Sequence, residues 1–231
     1  MGLFKSQSKI LAFLLLSFII SDMHISWHGE FTIKIQSEDK VLLIDPLGPE
    51  TGLSPLRTTA NLIALTNPAN KAMSYTKTTD DDTVILDTPG EYDVKGFSLH
   101  ALGWRADDGS ERSLQRWSIE DVTLLHVGAL NRELTADELQ YIEKTDIHVL
   151  FVPVGGGEAL SAQQAMNLIT TIEPRMVIPI HYKLPDLKEE LEDVAHFAKE
   201  IGIDATQREK KIIIKANKLP SEDMVTVLLA P

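Results

Sequence analysis

From residue 23 onward, short apolar runs alternate with turn-forming residues, and this pattern constrains the fold more than any other feature. The first half reads mainly as strands, whereas strand and helix patterns alternate in the second half. Predicted strands cover residues 31–35, 41–44, 62–65, 84–86, 96–102, 122–126, 149–154, 176–180, 211–215 and 224–229, and predicted helices cover residues 135–142, 161–172 and 187–201. The pattern predicts a single α/β (α+β) domain over residues 23–231, with layered sheets flanked by helices.

Charge and cysteine content exclude several function classes. The chain carries a net charge of −12 and no basic run, so a broad phosphate-contacting surface is excluded and no nucleic-acid partner is expected. It has no cysteine, so there can be no disulfide partner, no thiolate metal site and no cysteine nucleophile. Any metal or acid–base role therefore falls to histidines and carboxylates.

Residues 1–22 differ from the rest of the chain. Two lysines precede an apolar run over residues 10–20, which is shorter than the roughly 20 residues of a membrane-spanning helix. Three interpretations stay open: an export signal or short anchor, a buried or interfacial helix, or upstream sequence joined by a misassigned start codon. A start at Met23 predicts a cytoplasmic protein, whereas a real leader predicts export or membrane association, with a membrane partner only if the leader is retained.

A chain that begins at Met23 should fold, because Met23 opens a strand-like segment and the leader adds no further periodicity. The expected result is a cooperative thermal transition by circular dichroism within a few degrees of that of the full chain. Failure of the shortened chain to fold would rule out both the signal and the wrong-start interpretations.

Two histidines stand at the ends of apolar strands, where functional side chains often project. His126 ends residues 122–126, and His181 follows residues 176–180. Neutral imidazole is a good zinc ligand, so the two could share a metal ion. The alternative is that each is a hydrogen-bonded residue at a strand end.

The glycines at 155–157 lack a phosphate-binding spacing and predict a sharp turn from strand to helix.

Several short phrases follow one another along the chain. They are Ile25-Ser-Trp-His-Gly29, Leu43-Ile-Asp-Pro46, Thr51-Gly-Leu53, Thr88-Pro-Gly-Glu-Tyr-Asp-Val-Lys-Gly96, Leu125-His-Val-Gly128, Leu134-Thr-Ala-Asp-Glu-Leu139, Val149-Leu-Phe-Val-Pro-Val-Gly-Gly156, Glu173-Pro-Arg-Met-Val-Ile-Pro-Ile-His-Tyr182 and Leu219-Pro-Ser-Glu222. In this order they resemble the small bacterial and archaeal zinc-dependent hydrolases of the metallo-β-lactamase fold. The resemblance implies an αββα sandwich of two mixed sheets with outer helices.

The same resemblance locates the metal ligands. Active relatives carry His-x-His-x-Asp-His in the loop after the strand at residues 62–65, and further ligands at three later positions. Two of these later positions keep their histidines, as His126 and His181. The other ligand positions are substituted in this chain, and they hold Asn67, Ala69, Lys71, Ala72 and Ala129.

Two histidines fall short of a hydrolytic zinc site, which needs about three protein ligands and a bound water. We therefore expect a catalytically degenerate member, a pseudoenzyme that acts as a binding or regulatory protein, with no cofactor or only zinc at low occupancy. Lys71, with Asn67, would replace part of the missing metal charge and bind a small anionic ligand. The alternative is a zinc hydrolase with a mononuclear site, in which Glu30 or Asp45 joins His126 and His181.

Overall fold

A computed structural model describes residues 22–69, 80–221 and 223–231, and it confirms a sandwich of two mixed β-sheets. The first sheet has six strands in the order β12-β1-β2-β3-β4-β5. Their bounds are β1 (Met23–Trp27), β2 (Ile33–Ser37), β3 (Lys40–Ile44), β4 (Leu62–Ala64), β5 (Val84–Leu86) and β12 (Ile212–Ile214). Neighbours are antiparallel from β12 to β3 and parallel from β3 to β5.

The second sheet has seven strands in the order β13-β11-β10-β9-β8-β7-β6. Their bounds are β6 (Gly90–Val94), β7 (Phe97–Arg105), β8 (Glu111–Ile119), β9 (Val122–His126), β10 (Val149–Pro153), β11 (Met176–Ile180) and β13 (Val225–Thr226). The pairs β9–β10, β10–β11 and β11–β13 are parallel, and the other pairs in this sheet are antiparallel. Strands β9 and β10 are buried along their whole length, which explains their nearly continuous apolar sequences.

Three α-helices follow β9: α1 (Ala136–Ile142), α2 (Ala162–Ile172) and α3 (Val194–Ile201). Thr135 and Ser161 begin the first two with capping boxes, which satisfy backbone donors that a helix start leaves free. Helix α2 packs against β10 and α3. Short 3-10 turns lie at Pro49–Thr51 and Ala216–Lys218. No helix in the described ranges is long and apolar enough to span a bilayer.

Large apolar side chains fill the space between the sheets. Trp27 of β1, Trp117 of β8 and Phe151 of β10 are fully buried, as are Tyr182 and Phe197. The rings of Trp27 and Tyr182 lie 4.5 Å apart, and this contact joins the end of the first sheet's β1 to the segment after β11 of the second. The Tyr182 hydroxyl donates to the carbonyl of Leu229 at 3.0 Å, which satisfies its one polar group.

The structure differs from the predicted secondary structure in several places, and two of these differences have a clear physical reason. The predicted helix at residues 187–201 begins only at residue 194, because the N–H groups of Leu187, Lys188 and Glu192 bind the carbonyls of Leu184, Thr51 and Gly155 instead of helical partners. Strand β8 was not expected. Its buried polar residues Arg112, Ser113, Gln115 and Arg116 interrupt the apolar pattern that a sequence reading requires.

Replacing Phe151 with alanine should destabilise the fold by about 3–5 kcal/mol, since a fully buried aromatic ring would leave a cavity between the sheets. Urea unfolding measures the loss. The matched control is Ile213→Ala in β12, where the side chain is 52% exposed and the expected change is within about 0.5 kcal/mol. Equal losses for the two variants would contradict the core assignment.

Candidate metal centre

A cavity of about 300 Å³ opens at one edge of the sandwich, where the turns after several strands meet. Each of β1, β3, β4, β9, β10 and β11 is followed by a turn that contributes to this edge or lies beside it. The carboxyl ends of parallel strands gather functional side chains in this way. The lining residues are Glu30, Phe31, Asp45, Pro46, Leu47, Gly48, Glu50, Thr51, Thr66, Asn67, Ala129, Glu158 and Glu189.

His181 and Glu30 form a buried polar pair at this edge. His181 Nδ1 donates to Glu30 Oε2 at 2.7 Å, and the His181 backbone N–H donates to the Glu30 carbonyl at 3.2 Å. Both residues have left-handed backbones, with φ of 48° and 47°, which turn the two side chains toward each other at the ends of different sheets. Phe31 stacks on the His181 ring with the centroids 4.2 Å apart.

Three ligand atoms converge beside this pair. Because a carboxylate only accepts hydrogen bonds, His181 Nδ1 carries the proton that it shares with Glu30, and Nε2 is the ring nitrogen left to bind a metal. Both His181 Nε2 and Glu30 Oε1 are buried without a hydrogen-bond partner. Glu189 Oε1 lies 3.8 Å from His181 Nε2, and Glu30, His181 and Glu189 can bring one ligand atom each within 4.8 Å of the others.

This donor set fits a divalent metal ion. One imidazole nitrogen and two carboxylates would give three protein ligands, the number that a catalytic zinc site uses, with a position left for water. Unpaired buried polar atoms are costly, and a cation would satisfy both of those found here. Partial burial raises the pKa of Glu189; His181 opposes this shift, and the carboxylates of Glu30 and Glu158 add to it.

The other strand-end histidine, His126, lies outside this cluster. The Gly128 N–H donates to His126 Nδ1 at 3.0 Å, so Nε2 carries the proton and donates to the Phe31 carbonyl at 3.0 Å. Burial lowers the pKa of His126 to about 4, and the ring is neutral around pH 7. Metal binding by His126 would require one of these bonds to break. In the structure, the hydrogen bond from the His126 ring positions Phe31, and the Phe31 ring stacks on His181.

Asp45 lines the same cavity but bonds to the turn after β4. Its Oδ1 accepts the Thr66 N–H at 2.8 Å, and its Oδ2 accepts the Thr66 hydroxyl at 2.5 Å. Full burial raises the pKa of Asp45 to about 7, against the hydrogen bonds from Thr66 and Asn67. Of the two predicted helper residues, Glu30 therefore joins His181, whereas Asp45 is engaged with Thr66.

The substituted ligand positions fall partly on the cavity wall. Asn67 and Ala129 line the cavity, while Ala69 is exposed. Asn67 Oδ1 accepts the Ala69 N–H at 3.0 Å. Lys71 and Ala72 lie outside the described residues, so anion binding by Lys71 with Asn67 stays a prediction. Glu189 was missed by sequence reasoning, because it falls in a segment whose pattern predicted helix.

Residues 24–181 match the family model described as the beta-lactamase superfamily domain, and the match covers more than half of the chain. This chain belongs to that superfamily. A metal-dependent hydrolase of Lysinibacillus sphaericus is 24% identical over 195 residues, which cover 69% of this chain and 85% of the relative. A metal-dependent hydrolase of Ligilactobacillus salivarius is 26% identical over 199 residues, covering 74% and 90%.

Solved structures of the superfamily have the same architecture. A Thermotoga maritima protein, described as a zinc-dependent hydrolase of the metallo-β-lactamase superfamily, matches with a TM-score of 0.72 and 25% identity, covering 90% of this chain and 100% of that one. A metallo hydrolase of Ignicoccus hospitalis matches with a TM-score of 0.59 and 14% identity, covering 84% and 99%. The sandwich expected from the sequence is therefore the superfamily fold.

The raised pKa of Asp45 predicts a specific pH dependence of stability. The folded state holds this proton more tightly than the unfolded state does, so stability from Asp45 is lost as the pH rises through about 7. As the pH rises from 6 to 9, the free energy of unfolding of the Asp45→Asn variant should increase by about 1 kcal/mol relative to that of the wild type. The reason is that the asparagine side chain does not ionise. Urea unfolding at several pH values measures this. Parallel curves for the two proteins would contradict the buried, proton-binding state of Asp45.

Proposed function

We propose that this protein is a metal-dependent hydrolase with a mononuclear metal centre, in which His181, Glu30 and Glu189 hold one divalent ion. The observation that carries the proposal is the buried, unpartnered His181 Nε2, which lies 3.8 Å from Glu189 Oε1 while Glu30 binds the opposite ring nitrogen. Two relatives named as metal-dependent hydrolases support it. Together these count against the expectation that no cofactor binds.

The chain's own residues would prepare the site for this role. Glu30 Oε2 fixes the orientation of the His181 ring through Nδ1, and this carboxylate would turn toward Nε2 to act as a metal ligand. Phe31 covers one face of that ring and excludes water from it. A zinc ion bound there would supply Lewis acidity and lower the pKa of a bound water to about 7. The adjoining cavity of about 300 Å³ would hold a small substrate beside the ion.

Metal binding by the full chain tests the first part of the proposal. The protein, purified without chelator and titrated with zinc, should bind about one ion per chain by calorimetry and elemental analysis. His181→Ala should abolish binding, because it removes the only nitrogen ligand of the cluster. The control is His196→Ala, whose side chain is 68% exposed in α3 and which should bind as the wild type does. Equal zinc binding by the His181 and His196 variants would contradict the assignment.

Hydrolysis tests the second part. Zinc-loaded protein is assayed with p-nitrophenyl acetate and bis-p-nitrophenyl phosphate as ester and phosphodiester probes. Turnover that requires the metal and is lost in His181→Ala supports a hydrolase. If the protein binds zinc stoichiometrically but turns over neither these probes nor lactones, the proposed metal centre stands. The proposed hydrolytic activity would then be wrong.

A second candidate is a metal-free binding protein. The observation in its favour is that Asn67, Ala69 and Ala129 stand at family ligand positions and offer neither imidazole nor carboxylate. In that case Lys71, with Asn67, would hold a small anionic ligand in the cavity. Absence of zinc binding, together with phosphate binding that Lys71→Met abolishes, would favour this candidate over the hydrolase.

A further inference from the structure

Glu189 reaches His181 on a connection between β11 and α3, residues 183–192, here called the strap. Its two ends meet where the Lys183 N–H donates to the Glu192 carbonyl at 3.0 Å. Two further bonds fasten it to the body of the protein: the Glu192 N–H donates to the Gly155 carbonyl and the Lys188 N–H to the Thr51 carbonyl, each at 2.9 Å. The strap backbone is therefore fixed, and the Glu189 side chain extends from it toward the buried imidazole.

The strap lies directly against the glycine turn that follows β10. A β-carbon added at Gly157 would lie 2.7 Å from Glu189 Oε1 and 2.9 Å from Leu191 Cδ2, closer than real β-carbon contacts come. The Glu189 carboxylate thus occupies the space that a side chain at position 157 would fill. Its oxygen is the free end of a flexible chain, so it would move more readily than the backbone of the turn.

We infer that Gly157 is a positioning residue for the metal centre, because its missing side chain leaves the space in which the Glu189 carboxylate stays 3.8 Å from His181 Nε2. The inference rests on the proposed function, since it assumes that the cluster binds a metal. A methyl group at position 157 would displace Glu189 Oε1 from the ligand position and leave the centre with His181 and Glu30. Losing an outer-shell partner of a metal ligand typically costs about 10–100-fold in affinity, so losing a direct ligand should cost at least about tenfold.

Backbone conformation is the competing reason for glycine at this position. Gly157 has φ of +67°, which favours glycine whatever the surrounding space. The neighbouring Gly156 provides a matched control, because its φ is +74° and a β-carbon there would meet nothing within 4 Å. Alanine at either position imposes a similar backbone strain, but only alanine at 157 competes with Glu189.

The experiment measures zinc affinity by calorimetry and apo-protein melting temperature for the full-length wild type, Gly157→Ala and Gly156→Ala. Cobalt(II) absorption provides a spectroscopic readout of the ligand set. Gly157→Ala should bind zinc about tenfold or more weakly and change the cobalt spectrum. Gly156→Ala should keep the wild-type affinity and spectrum while melting at a similarly lowered temperature.

A double-mutant cycle separates action through Glu189 from a general disturbance of the turn. In a Glu189→Ala background, adding Gly157→Ala should leave the zinc affinity unchanged, because the carboxylate that it displaces is already absent. An additive loss in the cycle, equal zinc affinities of Gly157→Ala and the wild type, or equal weakening in both glycine variants would overturn the inference. Absence of zinc binding by the wild type would instead overturn the proposed metal centre, so the two failures are distinguishable.

Discussion

The buried hydrogen bond between His181 Nδ1 and Glu30 Oε2 is the interaction on which the candidate site depends. Its partners are 151 residues apart, and they follow strands of different sheets. The bond forms only because the core brings those strand ends together. Trp27 packs on Tyr182, and the Trp27 Nε1 donates to the Glu30 carbonyl at 2.9 Å. Removing Glu30 would leave His181 Nδ1 buried without a partner, and removing His181 would leave the Glu30 carboxylate without one.

The cavity lies on the superfamily scaffold, and the donor atoms that we propose for its metal ion come from two turns. Asn67, after β4, and Ala129, after β9, offer neither imidazole nor carboxylate at positions where the family resemblance leads us to expect metal ligands. Instead, carboxylates come from the turn after β1, as Glu30, and from the strap, as Glu189. Retained fold and altered chemistry are compatible, because the sandwich depends on the core between the sheets whereas function depends on the turns at their edge.

Much of the fold could be predicted because strand and helix periodicities are local properties of sequence. The fully apolar β10 and the capping residues Thr135 and Ser161 are examples. Strand β8 escaped prediction because long-range contacts, such as that of Arg112 with the Ala129 carbonyl, bury its polar residues. The strap could not be predicted for a related reason, since its N–H groups donate to the carbonyls of Thr51 and Gly155 rather than to carbonyls within a helix.

The candidate site was only partly predictable. Position at a strand end singled out both His126 and His181, but it could not show which ring keeps a free nitrogen. That depends on Gly128 and the Phe31 carbonyl in one case and on Glu30 in the other. Glu30 was recognised as a possible helper near the expected pocket. Glu189 was not, because its proximity to His181 requires both the strap and the space above Gly157.

We propose that one metal ion binds at His181 Nε2 between two carboxylates. Anomalous diffraction at the zinc edge, from crystals of the full chain grown with zinc, tests this most directly. We expect a single strong anomalous peak within about 2.0–2.2 Å of His181 Nε2 and in contact with carboxylate oxygens of Glu30 and Glu189. A peak on His126 instead, or no peak at the cavity when zinc is in excess, would contradict it.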